Sequence, residues 1–177
     1  MIVRYPGVIE RNQLSDLFIG QYDLMPTILD MTGVNVEIPN SPGRSFAESL
    51  KGNEPASWGD AVYMDQEATR VIRTSQYSYW KRMKGTGQNE LYDIQKDPGQ
   101  ENNLYGQPEY ADAVSELDRR LTQFFDTWSN AEYDLWRGGT VKGSTESTQV
   151  YKSLYGEQWK PQAEVRPAFK EKKSGHP

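Results

Sequence analysis

The chain has 177 residues, a formal charge of −5 and a pI near 5.0, and it is polar on average (mean hydropathy −0.84) although aromatic residues make up 12% of it. That acidic balance argues against nucleic acid or an anionic membrane as a partner, since both select a basic face, and the basic run at 170–173 reads as a solvated tail. No cysteine is present, the single histidine is His176 in the terminal stretch, and no segment approaches the roughly 20 apolar residues of a membrane span, so thiolate chemistry, a histidine-based catalytic or metal site and a spanning helix are excluded.

Residues 1–5 form an apolar run closed by Pro6-Gly7 and read as a buried strand that ends in a turn; the run is too short for the apolar region of a signal peptide. A strand that opens a chain with no partner before it implies a piece of a larger protein. Residues 8–12 are a polar connection, and residues 14–19 are apolar enough for a second extended segment. From Asp23 to Gly33 the pattern is helical. Asp23 is placed to cap the helix, Pro26 falls in the first turn, Gly33 suits a left-handed stop, and Leu24, Ile28 and Met31 share one face to be buried. A loop with Pro39 and Pro42 follows, then one helical turn within 45–50, and Gly52 with Pro55 marks the clearest internal boundary.

Residues 61–80 hold the richest run of β-branched and aromatic residues. Strands are predicted around Val62-Tyr63-Met64, over 70–74, over 77–81 and, after the Lys84-Gly85-Thr86-Gly87 hairpin, over 90–94. An antiparallel meander results, with a polar corner at 65–68. Its alternate polar positions leave one face to be covered by a helix. Beyond the turn-rich segment 95–106, Ala113, Val114, Leu117, Leu121, Phe124, Phe125 and Trp128 recur at three- and four-residue steps, which predicts that covering helix with an aromatic end in the core. Residues 130–177 have no sustained period; Tyr133, Trp136, Tyr151, Tyr155 and Trp159 suggest an extended tail that docks on a surface.

Three groupings invite a chemical reading. Asp93, Asp97 and Glu101 are four apart, but beside Pro98 and two asparagines they read as turn and cap residues rather than metal ligands. Arg70 and Arg73 suit a bidentate grip on a sulfate or carboxylate, yet on a strand they point to opposite faces, so at most one faces a cleft and a structural ion pair is the plainer reading of either. Trp58, Trp80, Trp136 and Trp159 would be the stacking platforms if the chain were a free-standing carbohydrate-binding module.

The order Val3-Arg4-Tyr5-Pro6-Gly7, Asp23-Leu24, Pro26-Thr27-Ile28-Leu29, Gly33 and Gly43-Arg44-Ser45-Phe46 resembles the segment of type I sulfatases that follows their last catalytic residues. The resemblance continues through Arg70-Val71-Ile72-Arg73-Thr74, Tyr77 and Tyr79, Glu90-Leu91-Tyr92-Asp93, Asp97-Pro98 and Glu101-Asn102-Asn103-Leu104, and covers residues 1 to about 128. Ser78 departs from it, standing where the family usually has a lysine. The sulfatase nucleophile motif C/S-x-P-x-R is not met by Asn40-Ser41-Pro42-Gly43-Arg44, because asparagine cannot become the oxidised aldehyde hydrate and Ser41 is out of register; an ordinary proline loop is implied.

The resemblance implies an α/β fragment, the end of the sulfatase core, over 1–52. A small α+β subdomain, a four-stranded antiparallel sheet with one long covering helix, takes 53–129, and an extended tail takes 130–177. It implies a sulfuric-ester hydrolase whose nucleophile and calcium ligands precede this chain, so that no catalytic residue or cofactor is expected here and calcium is expected in the parent. The substrate would be a sulfated small molecule or glycan, and the family habit is periplasmic or secreted. Loops of the subdomain border the substrate cleft in such enzymes. Gln66, Glu67 and Arg70 at the polar corner and Trp136 in the tail are therefore the candidate substrate contacts, the indole folding over the same opening. Related phosphatases and phosphodiesterases, which share the core strand and helix but not the Glu-Leu-Tyr-Asp stretch before Asp-Pro, are the alternative within the superfamily.

Overall fold

The computed structural model describes residues 1–139 except 54 and 56, together with 152 and 156–158. Tyr151, Tyr155, Trp159, the basic run at 170–173 and His176 lie outside the described residues.

The alternating run folds as a meander of β1 (Ala61–Gln66), β2 (Thr69–Thr74), β3 (Tyr77–Arg82) and β4 (Glu90–Asp93), hydrogen-bonded in the order β1-β2-β3-β4. Register decides which residues share a face. Tyr63 lies opposite Ile72, Ile72 opposite Tyr79 and Tyr79 opposite Leu91, so with Ala61 these residues form one apolar surface. After a 3-10 turn at Pro108–Tyr110, α3 (Ala111–Trp128) lays Leu117, Leu121 and Phe125 against that surface, and Ile72, Leu91, Tyr79 and Leu121 are almost fully buried. The charged residues of the 3.6-residue pattern stay outside, where Arg119 pairs with Glu116 one turn earlier at 2.8 Å.

Two expectations about this unit need correction. The far face of the sheet is not bare: Val71 and Ser78 are buried there, and Trp80, cross-strand from Val71, donates its indole N–H to Ser78 Oγ at 2.9 Å. A serine that accepts this bond gives the position a polar partner without a charge. Trp128, placed in the core by its spacing, is 40% exposed, because it ends the helix beyond the sheet that would have covered it.

The N-terminal part differs more. Residues 1–5 and 14–19 form no strand among the described residues, and Ile2 and Leu14 are almost fully exposed. A strand needs a neighbour to satisfy its backbone groups, and the described sheet pairs β1 to β4 only with one another. The helix is present as α1 (Leu24–Thr32), ended by Gly33 at φ 71°. Its buried side, however, runs through Asp23 and Thr27 rather than through the Leu24–Ile28–Met31 stripe, and Ile28 and Met25 stay exposed. The reason is the partner. Thr27 Oγ1 accepts the Phe46 N–H at 3.0 Å and donates to the Asp23 carbonyl at 2.6 Å, which packs α1 against buried Phe46 and the short α2 (Ala47–Leu50).

Asp23 itself does not cap α1 with its side chain. Its carboxylate accepts the Gly20 N–H at 2.8 Å and the Arg44 N–H at 2.9 Å, clasping the proline loop to the helix start. Gly43 is required in that clasp because a Cβ there would sit 2.0 Å from the Tyr22 carbonyl oxygen. The Arg44 guanidinium lies 4.2 Å from the Trp58 ring centroid, and the Trp58 indole donates to the Phe18 carbonyl at 2.8 Å, which joins this part to the entry of the meander. The 40–44 stretch thus serves as a structural loop.

Leu121 is the buried centre of the α3–sheet contact, so Leu121→Ala should lower the unfolding free energy by about 2–5 kcal/mol in urea denaturation. A loss below about 1 kcal/mol would show that α3 does not pack as described.

Candidate functional site

Three loops meet at one end of the sheet. The β1–β2 hairpin turns on Glu67, which takes φ 56°, and on Ala68, whose carbonyl accepts the Met83 N–H at 2.8 Å from the start of the β3–β4 loop. The segment after α3 folds back over both, and its Trp136 indole N–H donates to the Glu67 carbonyl at 3.1 Å.

The anchor for this arrangement is Arg70. Arg70 is 7% exposed; its Nε lies 2.9 Å from Asp65 Oδ2 and its Nη2 lies 2.6 Å from Asp134 Oδ1. Its guanidinium carbon is 4.1 Å from the Phe125 ring centroid and 5.0 Å from that of Trp136. Asp134 is shared further: Ser129 Oγ donates to Oδ2 at 2.6 Å and the Trp136 N–H donates to Oδ1 at 2.9 Å, so one carboxylate closes the 3-10 turn Leu135–Arg137 and binds the strand. Burial opposes ionisation of Asp134, but the bonds from Arg70, Ser129 and Trp136 outweigh it and hold its carboxyl below the usual range. Asp65 goes the other way, raised by burial despite Arg70, with the charge of Asp134 adding to the rise.

Next along the same face, Lys81 pairs with Asp118 of α3 at 2.7 Å, and Tyr79 Oη donates to Asp118 at 3.0 Å. Burial first, and then the Asp118 charge, push the Tyr79 phenol well above its ordinary value, so it stays a donor. On the opposite face Arg82 bonds Glu90 at 2.7 Å and Thr69 Oγ1 at 2.7 Å.

Two openings flank this end. A largely apolar cleft of about 430 Å³ is bordered by Tyr22, Asp65, Glu67, Arg70, Trp128 and Tyr133. A groove of about 670 Å³ runs along Lys81, Arg82, Lys84, Asn89, Tyr105 and Trp136. The four candidate residues therefore share one end of the sheet but not one opening. Glu67 and Arg70 border the first, Trp136 borders the second, and Gln66 lies exposed on the strand end beside them. The bidentate reach of Arg70 is spent on Asp65 and Asp134, which is its ion-pair reading; Arg73 lies on the far face with no carboxylate partner among the described residues. Sequence reasoning passed over Asp134, which has no periodic context, and Lys84, whose Lys-Gly-Thr-Gly context reads only as a turn.

Of the other tryptophans considered as stacking platforms, Trp58 packs under Arg44 and Trp80 engages Ser78 and, at 5.5 Å, Arg82; Trp159 lies outside the described residues. Asp93 Oδ1 accepts the N–H groups of Gln95 and Lys96 at 3.2 Å each, Asp97 Oδ2 accepts the Asn102 N–H at 2.8 Å, and the described residues contain no cluster of three or more His, Cys, Asp or Glu able to hold a metal.

Because Arg70 is buried against Asp134, itself buried, Arg70→Ala should cost about 3–5 kcal/mol of stability by leaving that carboxylate without its cation. For Asp134 the sign is set by a folded pKa below the unfolded value of about 3.9: its contribution is complete above that value and is lost as pH falls through the folded pKa. The melting temperature of the native chain should therefore fall more steeply below about pH 4 than that of Asp134→Asn, and parallel pH profiles would refute the assignment.

Known proteins share this architecture. An ulvan-active sulfatase of Formosa agariphila is 27% identical over 165 residues, which is 85% of this chain and 32% of that protein. An N-acetylglucosamine-6-O-sulfatase of Bacteroides thetaiotaomicron is 31% identical over 135 residues, covering 70% of this chain and 24% of that protein. A solved structure from a Bacteroides thetaiotaomicron locus for glycosaminoglycan metabolism superposes with a TM-score of 0.59 at 25% identity, over 76% of this chain and 31% of the other. The chain thus spans a third or less of the length of these relatives. The family described as N-sulphoglucosamine sulphohydrolase, C-terminal, matches residues 1–127, and the chain belongs to it as a sulfatase C-terminal domain.

Proposed function

We propose that this chain works as the C-terminal part of a sulfuric-ester hydrolase that acts on sulfated glycans, contributing packing to the catalytic core and a rim to the substrate cleft, and that it is inactive by itself. The observation that carries this reading is the match to sulfatases across α1, the meander and α3, together with the three-loop end of the sheet. The names of the relatives, an ulvan-active sulfatase and an N-acetylglucosamine-6-O-sulfatase, support a sulfated carbohydrate as the substrate class. The nucleophile and a calcium ion belong, in this reading, to the rest of the enzyme. Within the chain, exposed Gln66, the Glu67 turn and Trp136 supply the rim, while Arg70 acts as a positioning residue that holds the turn and the indole in place.

Two assays test this. The chain alone should hydrolyse neither 4-nitrophenyl sulfate nor N-acetylglucosamine 6-sulfate, with or without calcium; turnover that copurifies with the chain and dies with it on heating would sink the proposal. In a sulfatase that contains this chain, Gln66→Ala with Glu67→Ala should lower kcat/KM for a sulfated oligosaccharide by about tenfold and leave the small aryl sulfate within about twofold, because only the larger substrate extends to the rim. Equal losses on both substrates, or none, would remove these two residues from the cleft.

A further inference from the structure

The groove along the β3–β4 loop has a chemistry that the rim reading does not use. Among the described residues its lining holds three cationic side chains, Lys81, Arg82 and Lys84, and no carboxylate, in a chain whose net charge is −5. Lys81 and Arg82 are each neutralised from outside the lining, by Asp118 and Glu90 at 2.7 Å. Lys84 is exposed and has no carboxylate partner among the described residues. Among the described residues the groove therefore keeps one uncompensated cation, next to two others whose guanidinium and ammonium groups are already oriented.

The walls are aromatic and held. Trp136 is tied by its indole N–H to the Glu67 carbonyl and lies over Arg70, and the Tyr105 hydroxyl accepts from the Asn89 amide at 3.2 Å. Fixed rings lose little entropy when a ligand stacks on them, and a sugar presents an apolar C–H face to such a ring while its hydroxyls bond an exposed amide such as that of Gln88. Gly85, also in the lining, takes φ 88° with open space where a Cβ would be, so a ligand can approach the backbone there. A volume of about 670 Å³ lies within the ordinary range of roughly 300–1,000 Å³ for small-molecule sites.

The geometry points to this groove as a subsite for an anionic sugar unit, its charged group held at Lys84 and its ring laid against Trp136 beside Tyr105. The sugar rests on the function proposed above; the preference for an anion rests on the groove alone. Sulfate and uronate carboxylate share the required chemistry, and the proposal covers both sources.

The test is an NMR titration of the chain with N-acetylglucosamine 6-sulfate, glucuronic acid, N-acetylglucosamine and inorganic sulfate. At least one of the two charged sugars should move the backbone amides of residues 84–88 and the Trp136 indole resonance, with an affinity that falls as salt is raised, and the tighter of the two identifies the anion. Lys84→Ala should weaken that binding by about tenfold, the effect of one charge-assisted bond, while Lys84→Arg stays within about threefold. Shifts from the neutral sugar equal to those from the charged ones would overturn the site, as would unchanged binding by Lys84→Ala or no response to either charged sugar. Inorganic sulfate bound as tightly as the sulfated sugar would overturn the sugar subsite. The readout is binding by this chain, so failure here leaves the turnover assays of the hydrolase reading intact, and failure of those assays leaves this measurement standing.

Discussion

Arg70 sits with its guanidinium between two aromatic rings and two carboxylates, and most of what is distinctive about this domain depends on how that cation is held. A buried arginine cannot shed its proton, so its burial must be offset by acceptors of fixed geometry. Asp65 lies directly opposite in the β1–β2 register, whereas Asp134 arrives from a segment 64 residues further on. The second carboxylate is what commits the chain beyond α3 to the sheet. Once Asp134 is in place its remaining bonds form the turn that presents Trp136, so a charge requirement in the core becomes the position of an indole at the surface.

The same face continues the pattern. Register aligns Asp65, Arg70 and Lys81 across three strands, and α3 supplies Asp118 to Lys81 as the post-helix segment supplies Asp134 to Arg70. Each cation of the row is met by an acid from outside the row. The apolar middle of the sheet is left to Ile72, Tyr79 and Leu91, and the polar contacts collect at the end where the loops meet. That division suits a domain with a role at its edge: dispersion and hydrophobic burial hold the body, while directional bonds set the loops.

A second clasp governs the N-terminal part. Asp23 binds two backbone N–H groups, Thr27 binds a third, and Gly43 lets the proline loop press on Tyr22, so α1 is held by its polar side. Rings then connect the two parts, with Phe124 stacked on Tyr63 at 3.9 Å and tilted against Tyr22 at 5.7 Å. Met25 and Ile28 of α1 face outward in the described structure, as do Ile2 and Leu14, while Leu24 and Met31 are half-buried.

Periodicity and turn chemistry are local properties, and what they determine is the meander, its helix-covered face, the long covering helix and the left-handed stop at Gly33. The strand runs between the turn residues set a register that gathers Tyr63, Ile72, Tyr79 and Leu91 on one face, and the three- and four-residue steps from Val114 to Phe125 admit only a helix. The ordered motifs around Arg70, Glu90-Leu91-Tyr92-Asp93 and Asp97-Pro98 also placed the chain among sulfatases. Neighbours decided the rest. An apolar run such as residues 1–5 becomes a strand only where a partner strand offers its backbone groups, and α1 buries Thr27 instead of Ile28 because the Phe46 N–H is on that side. Arg70 carries the same chemistry in either role, and whether it grips a ligand or a carboxylate of its own chain depends on Asp134, 64 positions away. No local pattern encodes that pairing, because electrostatic attraction acts across space and the chain brings its charges together only when it folds.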